Sequence, residues 1–269
     1  MTLSERAEQF HLLHREGLLL LANAWDPGSA RLAQHLGARA VATSSAAVAW
    51  SLGYPDGDLL PVALLPRTVE AIARVLHVPL SVDFEGGYSS DPEAVAQTAE
   101  AVIGAGAVGI NIEDGSGTPE LLCRKIEAVR RVAAARGVRL FINARTDVYL
   151  RGLAPAAERV AEALRRGALY RDAGADGLFV PGVVDAQEIA RLAQGSPLPL
   201  NVMARATLPD AATLRRLGVR RLSAGASIAE ACYGDMARRM RSFLETGASA
   251  AVVGDGAMGY AELNRLMAD

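Results

Sequence analysis

Short apolar runs alternate with longer stretches of helical spacing along almost the whole chain. The runs Leu18–Trp25, Ala40–Ser45, Pro79–Glu85, Gly109–Asp114, Leu140–Asp147, Gly177–Pro181, Leu200–Met203 and Arg221–Ala224 read as strands, several of them apolar enough to be buried on both faces. The stretches between them carry helix signals. Asp26-Pro27 caps a helix that runs to Gly37, a second helix spans about Pro66 to His77, and Asp91-Pro92-Glu93 opens one that reaches Ile103. Others are predicted over Pro119–Ala135, Pro155–Ala173 and Ile228 to about Leu244. Eight strand–helix units in 269 residues fit a (β/α)8 barrel of the TIM type, an α/β fold; an open doubly wound sheet is the alternative. Polar residues separate the two. Ser44, Ser45, Asp83, Glu85, Glu113, Asp114, Asn143 and Arg145 all fall at the C-terminal ends of predicted strands, and in a barrel those ends converge on one mouth.

Gly104-Ala105-Gly106-Ala107-Val108-Gly109 matches a dinucleotide-binding fingerprint letter for letter, but that fingerprint needs strand, glycines, then helix. Here the glycines end a helix and lead into a strand, so they read as a helix C-cap and a tight turn. No composition shift marks a domain boundary. The expectation is a single barrel domain over residues 1–269, with 246–269 as a C-terminal helical extension.

Candidate chemistry centres on Leu80-Ser81-Val82-Asp83-Phe84-Glu85-Gly86-Gly87-Tyr88. A strand alternates faces, so Asp83 and Glu85 share one face at its end, and paired acids are best tolerated where a divalent cation neutralises them. Asp83 is the candidate direct ligand, with Glu85 and Glu113 reaching the metal directly or through water; Mg2+ or Mn2+ suits so few carboxylates. A strand that simply ends in solvated acids is the alternative. Arg145 offers a planar fork for a carboxylate or phosphonate, or else an internal ion pair with Glu113 or Asp147. If a 2-oxoacid binds there, cation and guanidinium together stabilise an enolate-like charge.

A net charge of −2 and the lack of a basic run argue against nucleic acid, and the longest apolar stretches fall short of a membrane span. The polar start Met1–Arg6 is no signal peptide, and Cys123 and Cys232 have neither disulfide nor zinc spacing, so a cytoplasmic protein with reduced thiols is expected.

Taken together, Thr43-Ser44-Ser45, Asp83-Phe84-Glu85-Gly86-Gly87-Tyr88, Ile112-Glu113-Asp114 and Ile142-Asn143-Ala144-Arg145-Thr146-Asp147 resemble the isocitrate lyase and phosphoenolpyruvate mutase superfamily, in the right order from Asn23 to Met236. The resemblance implies a Mg2+-dependent (β/α)8 barrel that makes or breaks a C–C or C–P bond of a small 2-oxoacid through an enolate-like intermediate, as in oxaloacetate decarboxylation or phosphonopyruvate cleavage. By position it implies that Ser44 and Ser45 hold the carboxylate and oxo group, that Arg145 and Asn143 stand at the substrate, and that Asp56 is the acid of a loop over the mouth. An ordinary turn aspartate before Gly57 is the alternative for Asp56. The chain departs from the lyase branch: after Asp114 comes only Gly115-Ser116-Gly117-Thr118, with no Lys-Lys-Cys-Gly-His lid, so isocitrate and 2-methylisocitrate are not expected substrates. The lysine and asparagine of the mutase and hydrolase loops are absent too.

Two other readings stay open: a catalytically weak barrel that binds a metal and a small dicarboxylate, and a phosphate-binding barrel built on Ser223-Ala224-Gly225-Ala226-Ser227. Beyond the eighth unit a further helix is predicted over Met258–Met267, too short to stand alone in water. In the superfamily such helices are exchanged between subunits, so a homodimer or homotetramer is expected.

Overall fold

In a computed structural model, described for residues 1–254 and 256–268, the strands are β1 (Leu19–Leu21), β2 (Asn23–Ala24), β3 (Val41–Thr43), β4 (Leu80–Asp83), β5 (Gly109–Glu113), β6 (Phe141–Arg145), β7 (Gly177–Phe179), β8 (Leu200–Met203) and β9 (Arg221–Ser223). All pairings are parallel, in the order β1-β9-β8-β7-β6-β5-β4-β3-β2. β1 and β2 are two halves of the predicted first strand. Its first half bonds to β9 and its second half to β3, so the single run Leu19–Ala24 closes the sheet into a barrel. The open sheet is thereby excluded.

Around the strands run α1 (Leu3–Leu13), α2 (Pro27–His35), α3 (Ser45–Ser51), α4 (Leu64–Arg74), α5 (Pro92–Gly104), α6 (Pro119–Ala135), α7 (Arg159–Asp172), α8 (Ala186–Gly195), α9 (Ala211–Arg216), α10 (Ser227–Thr246) and α11 (Tyr260–Ala268). Between the predicted strand Ala40–Ser45 and the predicted helix from about Pro66, the structure adds α3, capped by Ser44. Gly104 ends α5, and Gly106 takes a positive φ of 113° before β5, as a C-cap and turn require.

Alternation along the strands sorts the barrel. Val82, Ile110, Ile112, Ile142, Ala144, Leu178 and Val202 are wholly buried apolar positions of the strands. The alternate positions of β4, β5, β6, β8 and β9 carry Ser81, Asp83, Asn111, Glu113, Asn143, Arg145, Asn201, Arg221 and Ser223, so the lumen is polar. α1 packs across the N-terminal end, where Phe10 meets Phe141 edge-on and His14 stacks on the same ring at 4.0 Å. A cleft of about 600 Å3 at that end is lined by His11, His14, Arg139, Asp176 and Arg220, on the face where barrels keep stability and not chemistry.

α11, expected to cross to a partner, lies in this single chain against its own α2, with Arg31 Nε donating to the Leu266 carbonyl at 2.9 Å. α10 is the less covered element. Only Ala229 of it is buried, and Met236, Met240, Phe243 and Leu244 are exposed.

Candidate active site

The C-terminal mouth of the barrel holds a cavity of about 240 Å3 whose walls include Ser44, Ser45, Asp56, Asp83, Asn111, Arg145, Phe179, Met203 and Arg205. Asp83, the last residue of β4, is gripped by the end of β3. The Thr43 hydroxyl accepts the Asp83 N–H at 2.8 Å, and the Ser45 N–H donates to Asp83 Oδ2 at 3.0 Å. Asp83 Oδ1 is buried without a hydrogen-bond partner. An orphaned carboxylate oxygen in a low-dielectric pocket costs free energy, and a cation is the partner its charge calls for.

Glu85 has a different task. Its Oε2 accepts the backbone N–H groups of Gly57, at 2.9 Å, and of Asp58, while Tyr88 Oη donates to Oε1 at 2.8 Å. The Asp58 carboxylate returns the favour by accepting the Tyr88 N–H at 3.0 Å. Asp58, Glu85 and Tyr88 are the three non-glycine residues with positive φ among those described, so the latch concentrates backbone strain at the edge of the mouth. Gly86 and Gly87 make it possible: a Cβ on Gly86 would lie 2.6 Å from Asp58 Oδ2, and one on Gly87 2.8 Å from Val95. Lys125 Nζ holds the Gly86 carbonyl from α6.

The latch fixes the loop that carries Asp56. Its carboxyl is raised above the usual range by partial burial, with the Asp83 charge adding to this and the Ser45 hydroxyl opposing it. Glu85 is likewise pushed up by burial, against its hydrogen bonds from Asp58 and Tyr88.

Opposite them, Arg145 is divided between two acids. It pairs with Glu113 Oε2 at 2.6 Å and Asp147 Oδ1 at 2.7 Å, and lies 6.0 Å from the centre of the Phe179 ring. Both predicted ion pairs are therefore present, and Arg145 lines the cavity as well. Burial pushes the Glu113 carboxyl up, against the pull of Arg145. Behind this pair Asp114, fully buried, accepts from Arg166 at 2.8 Å, from Tyr170 Oη at 2.6 Å and from the Asp147 N–H at 2.9 Å.

Asn143, expected at the substrate, lies one layer deeper. It is buried inside the barrel, donating to Asn111 Oδ1 at 2.9 Å and Asn201 Oδ1 at 3.0 Å, and does not line the cavity. A two-residue step along β6 separates it from Arg145, and its register partner in β5 is Asn111. Asn111, its neighbour in β5, reaches the cavity instead. Arg221, also overlooked, is fully buried with Nη2 on Asn111 Oδ1 at 3.0 Å and Nη1 unpartnered; desolvation lowers it to about 9.

No three His, Cys, Asp or Glu side chains among the described residues converge as a metal cluster. The donor set that fits a cation is the single oxygen of Asp83, with Glu85 and Glu113 both committed to protein partners. One carboxylate plus retained waters is a familiar way to hold Mg2+. The loop Ser223–Ser227 is poorly disposed for phosphate, since the Gly225 N–H is spent on Asn23 Oδ1 at 2.9 Å and the Ala224 N–H on the Leu21 carbonyl.

Residues 10–253 match the phosphoenolpyruvate phosphomutase family profile. An uncharacterized protein of Mycobacterium tuberculosis is 39% identical over 222 residues, 80% of this chain and 81% of that one. An oxaloacetate decarboxylase of Paraburkholderia xenovorans is 33% identical over 235 residues, 82% of this chain and 76% of that one. Among solved structures, a provisionally assigned phosphonomutase of Burkholderia cenocepacia superimposes with a TM-score of 0.84 at 40% identity, over 88% of this chain and 99% of that one.

Proposed function

The chain belongs to the phosphoenolpyruvate phosphomutase family, and we propose that it is a Mg2+- or Mn2+-dependent lyase-type enzyme that cleaves or forms a C–C or C–P bond of a small 2-oxoacid through an enolate-like state. The observation that carries this reading is the buried, unpartnered Oδ1 of Asp83, a residue that lines the same cavity as Arg145. A divalent cation bound there would polarise the substrate carbonyl and offset the charge that develops as the bond breaks.

The chain's own groups supply the rest. Arg145, held in one orientation by Glu113 and Asp147, presents a fixed guanidinium to an anionic substrate. Ser44 and Ser45 offer hydroxyls at the start of α3, and Asp56, its carboxyl raised, shares a hydrogen bond with the Ser45 hydroxyl and can hold a proton there. Glu85 keeps Asp56 in place through the latch, and it and Glu113, held by protein partners, would serve a cation on Asp83 as outer-sphere acids, through water.

The loop after Glu113 supports chemistry without a lid thiol. Cys123 sits half-buried inside α6, and burial with the charges of Glu127 and Glu120 raises its thiol, the reverse of what an acid–base thiolate needs. Isocitrate and 2-methylisocitrate are therefore not its substrates. The same bare loop favours a second reading, a barrel that binds metal and dicarboxylate without turnover.

One experiment separates them: oxaloacetate, phosphonopyruvate and 2-alkylmalates are screened for product release with and without Mg2+. Metal-dependent turnover of any of them, lost in Asp83→Ala, supports the enzyme; Mg2+-dependent oxalate binding with no turnover supports the second reading. Oxalate binding that survives EDTA overturns the metal site altogether. For assembly, the exposed apolar residues of α10 suit a homodimer or dimer of dimers in which the C-terminal helices meet a second copy. No helix among the described residues is long and apolar enough to cross a membrane, and the free thiols Cys123 and Cys232 suit a cytoplasmic setting.

A further inference from the structure

Two arginines line the mouth, and they are not equivalent. Arg145 is shared between Glu113 and Asp147, whereas Arg205 forms no ion pair among the described residues and is exposed where it lines the cavity. Arg205 stands two residues beyond the end of β8. With β1 and β2 counted as one strand, β4 is third and β8 seventh of eight around the barrel, so Asp83 and Arg205 stand on opposite sides of the mouth and line one cavity. Between them lie about 240 Å3, room for a small acid but little more. Glu230 also lines the cavity, yet forms no ion pair with Arg205.

We propose that Arg205 is the specificity-determining residue for a second anionic group of the substrate, at the end remote from Asp83, and that this group keeps its charge through the reaction. The inference rests on the metal-bound 2-oxoacid reading above and adds the chemical class: a 2-oxoacid bearing a distal phosphonate, or a carboxylate that stays on one of the fragments. Charge bookkeeping argues against a distal carboxylate that departs as CO2. In decarboxylation the electron pair of the breaking C–C bond passes to the enolate and the carboxylate leaves neutral, so a guanidinium on it would stabilise the ground state more than the transition state. A phosphonate or a retained carboxylate keeps its charge, and an arginine there serves both states.

The test uses ligand pairs and calorimetry in Mg2+. Oxalate has no distal group, 2-oxobutanoate has a neutral one, and 3-sulfopyruvate has a persistent anion of similar size. The wild type should prefer 3-sulfopyruvate over 2-oxobutanoate by about 10- to 100-fold, the scale of one charge-assisted contact. Arg205→Gln should reduce that preference to about threefold or less, Arg205→Lys should keep part of it, and oxalate affinity should change by no more than about twofold in either variant. A preference that survives Arg205→Gln, or is absent in the wild type, overturns the role of Arg205 while Mg2+-dependent oxalate binding leaves the metal site standing. Loss of that oxalate binding in the wild type would instead overturn the metal-site reading and this inference with it.

Discussion

Asp83 and Ser45 are joined by one hydrogen bond, 3.0 Å from the Ser45 N–H to Oδ2, which leaves Oδ1 buried and alone. The two oxygens thus have separate duties, one structural and one open to a cation. Asp83→Asn can keep the first with its amide oxygen while removing the charge that the second needs. The expected outcome is a folded protein, with Tm within a few degrees of wild type, that has lost Mg2+-dependent oxalate binding by at least about 100-fold. Calorimetry and a melting curve on the same sample check both halves.

Glu85 closes a strained latch, and its removal should act on the loop before it acts on the barrel. Glu85→Ala leaves the Gly57 and Asp58 N–H groups without their acceptor, and since both residues are exposed the cost per group should fall at or below the low end of the about 1–3 kcal/mol of a buried unpaired group. Because the loop can open to water, that cost should appear as local opening. Amide exchange at residues 53–60 should speed up by roughly tenfold or more, while β4 and β5 stay protected. Equal acceleration throughout the barrel would mean that Glu85 supports the whole fold.

Much of this was legible in the chain. The βα recurrence gave the barrel, and the polar strand ends gave Asp83, Glu113, Arg145 and Ser45 at the mouth, because period-two alternation is a local property of a strand. What a side chain meets inside the barrel was not legible: Asn143 and Arg145 share a face of β6, yet Arg145 lines the cavity while Asn143 is taken up by Asn111 and Asn201 from two other strands. The role of Glu85 depended on a loop returning from positions 57 and 58, a contact no local pattern encodes. Arg205 lies past its strand in a turn-like stretch, and Arg221 begins a strand, so neither carried the strand-end signal.

His14 gives the fold an acid-labile plug. Its ring stacks on Phe141, Nδ1 donates to the Phe10 carbonyl at 2.8 Å, and burial lowers its pKa from 6.5 to about 3, with Arg221 adding to the effect. Between those values the unfolded chain binds a proton that the folded chain refuses, so stability is fully present above about 6.5 and is lost as pH falls toward 3. At pH 5 the loss from this one group should be about 2 kcal/mol. His14→Phe should flatten the slope of denaturation free energy against pH in that window. An unchanged slope would show that His14 titrates normally.

Asp114 is the last acid of the mouth to consider, and it never reaches the cavity. It gathers Arg166, Tyr170 and the Asp147 N–H, and Asp147 in turn holds Arg145 and Arg151. Asp114→Ala would leave Arg166 largely buried with only Glu162 as a partner, and removing one member of a buried pair costs about 3–5 kcal/mol. Since Glu162 remains, the lower end, about 3 kcal/mol, is expected by urea denaturation. The Asp147 backbone would also lose its anchor, so Arg145 should loosen. Asp114→Asn separates the two effects, because its amide oxygen can still accept the Asp147 N–H. Asp114→Asn should therefore retain most of the Mg2+-dependent oxalate affinity that Asp114→Ala loses, while both are destabilised. If the two variants weaken oxalate equally in proportion to their stability, the network serves the fold alone and Arg145 is positioned by Glu113.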